Sequence, residues 1–173
     1  MELKKEIHPF EPVADKNSRL LILGSFPSVK SRENKFYYGH PKNRFWPMLA
    51  SILGCAVPVT TEEKKNMVLS HKIALWDTLA SCEIHASSDA SIKSAVPNDI
   101  PMLVGKYGIR AVICNGKTSF KYYEKYFKKD ERMAGISVAA LPSTSPANAA
   151  VSMEMLVQAW GEAIELYMNG GAE

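Results

Sequence analysis

The chain is 173 residues long, with 46% apolar, 23% charged and 9% aromatic residues. That composition is globular, which excludes disordered and collagen-like classes, and the length supports one domain with a sizeable core. Lysines and arginines number 21 against 18 acids, and the resulting net charge of +3 is too small to indicate a nucleic-acid partner by itself. No apolar run approaches the ~18 residues of a membrane span, and MELKKEIHPF lacks the apolar stretch of a secretory signal. Three widely spaced cysteines, Cys55, Cys82 and Cys114, argue against a disulfide framework and for a reducing, cytoplasmic location. Neither these nor the four scattered histidines form a metal-ligand spacing such as CxxC or HExxH, so no metal and no cofactor is expected.

Strands and helices alternate along the chain. Leu20-Leu21-Ile22-Leu23, stopped by Gly24, reads as a buried first strand. An irregular stretch follows from Ser25 to about Arg44. Phe45, Met48, Leu49, Ile52 and Leu53 then repeat at helical spacing, with Pro47 in a first turn. Placing Pro47 at the first helical position puts the cap at Trp46. Thr61 to Ser70 is a polar helix opened by a threonine cap, Ile73 to Trp76 a second strand ending at Asp77, and the serine-rich segment through Ala95 a loop. Asn98 caps a helix ending at Gly108, and Ala111 to Cys114 is a third strand ending in Asn115-Gly116. Lys117 to Phe127 is an aromatic, basic helix. Val138 to Leu141 is a fourth strand running into PSTSP, and Ser152 to Met168 a final helix whose apolar stripe belongs to the core.

Strands separated by helices indicate a parallel sheet covered on both faces, whose functional loops lie beyond the carboxyl ends of the strands. Gly24 to Ser28, Asp77, Asn115-Gly116 and Pro142 to Pro146 are therefore expected to meet. GSFPS lacks the GxSxG spacing of a nucleophile elbow, and no dinucleotide or triphosphate loop follows a strand. Hydroxyls, amides and aromatics dominate instead, a set suited to gripping phosphates and a flat base. The charge is also segregated: Ser25 to Ala50 carries a net +4, Val104 to Arg132 +5, and Ala150 to Glu173 −4. The basic stretches are interleaved with tyrosine, phenylalanine and tryptophan, as on a nucleic-acid face. On the helix carrying Lys121, Lys125 and Lys128, a merely solvated face fits equally well.

Four motifs in order, GSFPS, YYGHPKNRFW (Tyr37 to Trp46), ICNG (Ile113 to Gly116) and LPSTSPAN (Leu141 to Asn148), resemble the hypoxanthine- (deoxyinosine-) DNA glycosylase branch of the uracil-DNA glycosylase superfamily. The resemblance spans about Leu20 to Tyr167. It implies a three-layer α/β/α sandwich with a four-stranded parallel sheet, a single domain over 1–173 with 1–18 as an extension packed on or near the core, and a monomer acting on DNA. It also implies release of a deaminated base, most simply hypoxanthine, without metal or lyase step. Asn43 is the catalytic residue it suggests, positioning either a water or the purine. Ser25, Phe26, Tyr38 and Asn115 would bind the base, and Ser143, Ser145, Lys42 and Arg44 the DNA phosphates. Many relatives carry Asp or Asn where this chain has Phe26, and many uracil-specific ones carry His where it has Leu141. Both departures count against efficient uracil excision, and Pro146-Ala147-Asn148 offers no bulky wedge.

Plainer roles compete for the same residues. Asn43 could cap the following helix, Asn115 could make a strand-to-helix turn, and Ser143 and Ser145 could be turn and cap residues. His40 reads as a turn residue, Asp77 as a structural carboxylate, and one of Tyr37 and Tyr38 as core. The other functions compatible with the sequence are a broader uracil or mismatch glycosylase and a DNA-binding module without catalysis.

Overall fold

The computed structural model describes residues 2–170. Its centre is a parallel sheet of β2 (Leu20–Gly24), β3 (Ile73–Asp77), β6 (Ala111–Asn115) and β7 (Ser137–Leu141), in the order β3-β2-β6-β7. Leu20 to Leu23 are fully buried because β2 is an inner strand covered on both faces, which is why it reads as an unbroken aliphatic run. Each such side chain contributes about 1.5–3 kcal/mol relative to exposure. The outer strand β7 is only partly buried. From β2 the chain moves outward to β3 and later returns to β6 on the other flank. That reversal opens a crevice at the carboxyl ends of β2 and β6, where open α/β sheets bind ligands.

The remaining helices are α1 (Val29–Asn34), α2 (Phe45–Leu53), α3 (Thr61–Ser70), α4 (Ile100–Tyr107), α5 (Lys117–Phe127) and α6 (Met153–Asn169). The Thr60 hydroxyl and the Glu63 carboxylate form a reciprocal capping box on α3. α2 packs on α6, with the Phe45 ring edge-on to Trp160. Among the described residues no helix is long and apolar enough to cross a membrane.

Three details differ from the sequence reading. The segment expected as a serine-rich loop contains β4 (Leu79–Ile84) and β5 (Lys93–Pro97), which form an antiparallel sheet with β1 (Lys4–Ile7) in the order β1-β4-β5. The register shifts twice along β4 and β5, so the buried positions Leu79, Cys82 and Ile84 do not alternate cleanly and leave no period-2 signature. Helix α2 starts at Phe45, not after Trp46: Pro47 is its third residue, still within the first turn, where a missing N–H costs nothing. The cap of α4 is Asp99, whose carboxylate accepts from the Met102 N–H, while the Asn98 amide donates to the Asp77 carbonyl.

Candidate active site

The carboxyl ends of all four parallel strands converge on one pocket. Ser119, fully buried on α5, donates to the carbonyl of Leu23 at 2.8 Å. Thr78 donates to the Gly24 carbonyl through both its N–H and its hydroxyl. These bonds fix the end of β2. At the far side, the Trp160 indole donates to the Pro142 carbonyl at 3.0 Å, anchoring the loop after β7 on α6. The Arg44 guanidinium donates to the carbonyls of Ser145 (3.2 Å), Asn148 (3.0 Å) and Val151, which ties the same loop to the start of α2.

The pocket holds about 130 Å³ and is lined by Gly24, Ser25, Phe26, Tyr38, Asn43, Asp77, Asp89, Asn115 and the Ser143 to Ser145 loop, among others. That volume is on the scale of one small ring compound. An outer groove of about 660 Å³ shares Asp89, Ser143 and Ser145 with it and adds Lys117 and Asn148. A further groove of about 610 Å³ lies around the start of β3, lined by α2 and α6. It is away from the strand ends and gathers no comparable set of amides and carboxylates.

Thr144 is the centre of the pocket's hydrogen bonding and is fully buried. Its N–H donates to Asn115 Oδ1 at 3.0 Å, and its hydroxyl accepts from Asn115 Nδ2 at 3.0 Å and donates to Asn43 Oδ1 at 2.9 Å. Asn43 Oδ1 also accepts from the Phe45 N–H at 2.9 Å. An N–H can only donate, so the atom facing Phe45 is the amide oxygen and the orientation of Asn43 is determined. Its oxygen already accepts two hydrogen bonds, the capacity of an amide carbonyl. Nδ2 has no protein acceptor among the described residues, so the chemistry open to Asn43 is donation.

A second set of groups lies around Gly24. A side chain there would place its Cβ 2.3 Å from Asp77 Oδ1 and 3.4 Å from the Tyr38 hydroxyl, so only glycine fits. Asp77 Oδ2 lies 2.7 Å from His8 Nε2, both side chains nearly buried. His8 Nδ1 lies 2.8 Å from the Phe10 carbonyl. The Tyr38 ring stacks on Phe45 at 4.0 Å, and its backbone holds φ 54, in the left-handed region. For a bulky residue that conformation costs on the order of 1–3 kcal/mol. Burial first, then the Asp77 carboxylate, pushes the Tyr38 phenol well above its ordinary value, against the lowering effect of the nearby Asn115 side chain, which does not reach hydrogen-bond geometry with the hydroxyl. Burial likewise raises the Asp89 carboxyl, against the lowering effect of the Ser25 and Thr118 hydroxyls.

Of the residues singled out in the sequence, Ser25, Phe26, Tyr38, Asn43, Asn115, Ser143 and Ser145 line the pocket. Lys42 and Arg44 do not. Lys42 is exposed, and the Arg44 side chain is committed to loop carbonyls. Several plainer roles are present alongside: Asn43 receives the first N–H of α2, Ser143 and Ser145 accept from backbone two residues on, and the His40 ring accepts from the Lys42 N–H. Tyr37 is the core member of its pair, at 2% exposure, with its hydroxyl on the Glu11 carbonyl. Phe26 lies in the pocket wall edge-on to His8, with the Arg32 guanidinium over its ring. Asp77, read as a structural carboxylate, pairs through Oδ2 with His8. His8, Asp89 and Thr144 were not singled out; only Thr144, between two serines that were, carried a positional hint.

A strand-end pocket built from hydroxyls, amides and aromatics at the switch point of a parallel sheet defines a base- or nucleotide-sized site on an α/β/α domain. The family model for the uracil DNA glycosylase superfamily matches residues 11–163, and the chain belongs to that superfamily. It is 32% identical over 158 residues to a hypoxanthine DNA glycosylase from Methanosarcina barkeri, covering 90% of this chain and 96% of the relative. A hypoxanthine DNA glycosylase from Methanosarcina acetivorans is 34% identical over 141 residues, covering 80% and 86%. Among solved structures, a solution NMR structure of a candidate uracil DNA glycosylase from M. acetivorans superposes with a TM-score of 0.77 at 30% identity, over 90% of this chain and 94% of that one.

Proposed function

We propose that this protein is a monofunctional DNA glycosylase that removes a deaminated base, hypoxanthine from deoxyinosine, and leaves an abasic site for base excision repair. The observation that carries this reading is the Asn43 amide: its oxygen is saturated and its orientation set, which leaves Nδ2 as the donor of a side chain that lines the pocket. Breaking the bond between the sugar C1′ and the base nitrogen leaves the electron pair on the base and positive charge on the sugar. Water then bonds to C1′, and its proton ends on the departing base. A pre-oriented donor to an acceptor atom of the purine stabilises the negative charge that grows there, without reorganisation during the step. The structure thus favours Asn43 acting on the leaving base, because an oxygen with two donors already in place cannot accept a water's hydrogen.

Flipping the nucleotide costs a few kcal/mol, least for a mispaired base. Ser143 and Ser145 accept from backbone N–H groups and would donate their hydroxyl protons to the phosphates flanking the flipped nucleotide, together with exposed Lys117 in the outer groove and exposed Lys42. Arg44 then serves DNA binding indirectly, by shaping the loop that carries the two serines. A monomer is all that a pocket lined by residues of one chain requires. The free thiols of Cys55, Cys82 and Cys114 support a cytoplasmic location.

Duplexes containing deoxyinosine, deoxyuridine or deoxyxanthosine, incubated with the protein and analysed for released base, test this reading. Hypoxanthine is expected as the preferred product. Release of uracil alone would make it a uracil glycosylase, and binding without release of any base would make it a DNA-binding module.

A further inference from the structure

Two polar atoms in the pocket wall, the Tyr38 hydroxyl and Asp77 Oδ1, have no protein hydrogen bond among the described residues. Among the described residues, the Tyr38 hydroxyl is the only buried side-chain polar atom without a hydrogen-bond partner. Asp77 Oδ1, which is not fully buried, makes no hydrogen bond to the described residues, although Oδ2 of the same carboxylate is held by His8 at 2.7 Å. Both converge over the bare Cα of Gly24, and both line the pocket that contains Asn43. A buried hydroxyl is almost always paired in a folded protein, and one left open beside a carboxylate oxygen in a cleft points to a ligand. The left-handed backbone at Tyr38 is a further sign, because strain of this kind persists where it positions a functional group.

We infer that the Tyr38 hydroxyl and Asp77 Oδ1 together read the lactam edge of the flipped base, with His8 as the positioning residue for Asp77. The inference rests on the glycosylase reading above and names the feature of the base that is recognised. The hydrogen roles follow from the geometry. The Phe10 carbonyl can only accept, so His8 Nδ1 carries a proton, and the contact between Nε2 and Oδ2 holds one more. Whichever atom that proton resides on, Oδ1 remains an acceptor. Tyr38 remains a donor, since burial and the Asp77 carboxylate keep its phenol protonated.

The wall therefore offers a donor next to an acceptor. Hypoxanthine presents the complement, the O6 acceptor beside the N1–H donor, and xanthine and uracil carry the same lactam pair. Adenine reverses both positions, with an amino donor at C6 and an acceptor at N1, and cytosine reverses them likewise. A site with buried polar groups rejects an edge that leaves them unpaired or opposed far more strongly than a hydrophobic pocket rejects a shape. This pair thus recognises deamination itself, and the choice among lactam bases is left to the rest of the pocket.

The test compares single-turnover release from duplexes carrying deoxyinosine with release from duplexes carrying 2′-deoxynebularine, a purine that lacks O6 and has an acceptor at N1. Wild-type release of hypoxanthine is the control; its absence overturns the glycosylase reading, and this inference with it, before any variant is made. Given that release, Tyr38→Phe is expected to slow deoxyinosine by about tenfold or more and to leave nebularine within about threefold. Because it removes an unpartnered buried oxygen, it should also raise Tm. Asp77→Leu should act in the same direction. Asp77→Asn should recover most of the rate, since its amide can donate to a neutral His8 Nε2 and still present Oδ1. His8→Gln, which keeps a donor to Oδ2, should retain more activity than His8→Phe. If nebularine release is undetectable in every form, the loss on deoxyinosine coupled to the rise in Tm carries the test. Equal slowing of both substrates in Tyr38→Phe and Asp77→Leu, or a Tyr38→Phe protein that excises deoxyinosine like the wild type, overturns the inference. If Asp77→Leu does not fold, Tyr38→Phe decides alone.

Discussion

Thr144 links two loops through a single hydroxyl, accepting from Asn115 and donating to Asn43. Thr144→Val keeps the branched shape but removes that oxygen, leaving the Asn115 Nδ2 without its acceptor and Asn43 Oδ1 with one donor. Loss of one partner from a buried pair costs about 1–3 kcal/mol, measurable by urea unfolding. Base release should fall more than stability alone explains, because the Asn43 amide is then free to turn. Asp89 makes a separate prediction through pH. Desolvation raises its folded-state pKa above the ordinary value, so the native state holds a proton that the unfolded chain has released. Stability from this group is therefore present at low pH and is lost as pH rises through the raised pKa. Asp89→Asn should raise Tm at pH 7, and the gain should vanish below about pH 3.9, where both states are protonated. An equal gain at both pH values would mean that the carboxylate is not destabilised by its surroundings.

Among the elements, the loop after β7 is tied to the start of α2 through Arg44. Arg44→Met removes three guanidinium bonds to its carbonyls and should destabilise the fold by on the order of 2–3 kcal/mol. The salt dependence of DNA binding should stay as in the wild type, since the side chain faces the loop. A shallower salt slope would instead place Arg44 on a phosphate. The four parallel strands and α3, α5 and α6 were legible in the sequence because the strands are short apolar runs, α3 and α6 open on side-chain caps, and α5 follows the glycine that ends β6. The antiparallel sheet was not, because β4 and β5 mix polar with apolar residues and shift in register against each other. His8 was illegible for the same reason. Its position follows from the pairing of Lys4 to Ile7 with Ser81 to Ile84, a long-range contact that leaves no local pattern. Asn43 and Asn115 were found from motif resemblance, but that one amide is bonded to the other's partner is a tertiary fact.

At the scale of the molecule, a net charge of +3 conceals basic stretches of +4 and +5 and an acidic end of −4. Titration of duplex binding against salt should give a log–log slope of about −0.9 for each phosphate neutralised, and a slope near zero would remove those stretches from the DNA face. The larger claim is that catalysis resides in the strand-end pocket, with Asn43 as its fixed donor. Single-turnover release of hypoxanthine by Asn43→Ala, measured beside duplex binding by the same protein, tests it most directly. Removal of a preorganised donor predicts a fall of about 10²–10³ in the rate, with duplex affinity unchanged within about threefold. Release at the wild-type rate would contradict the account.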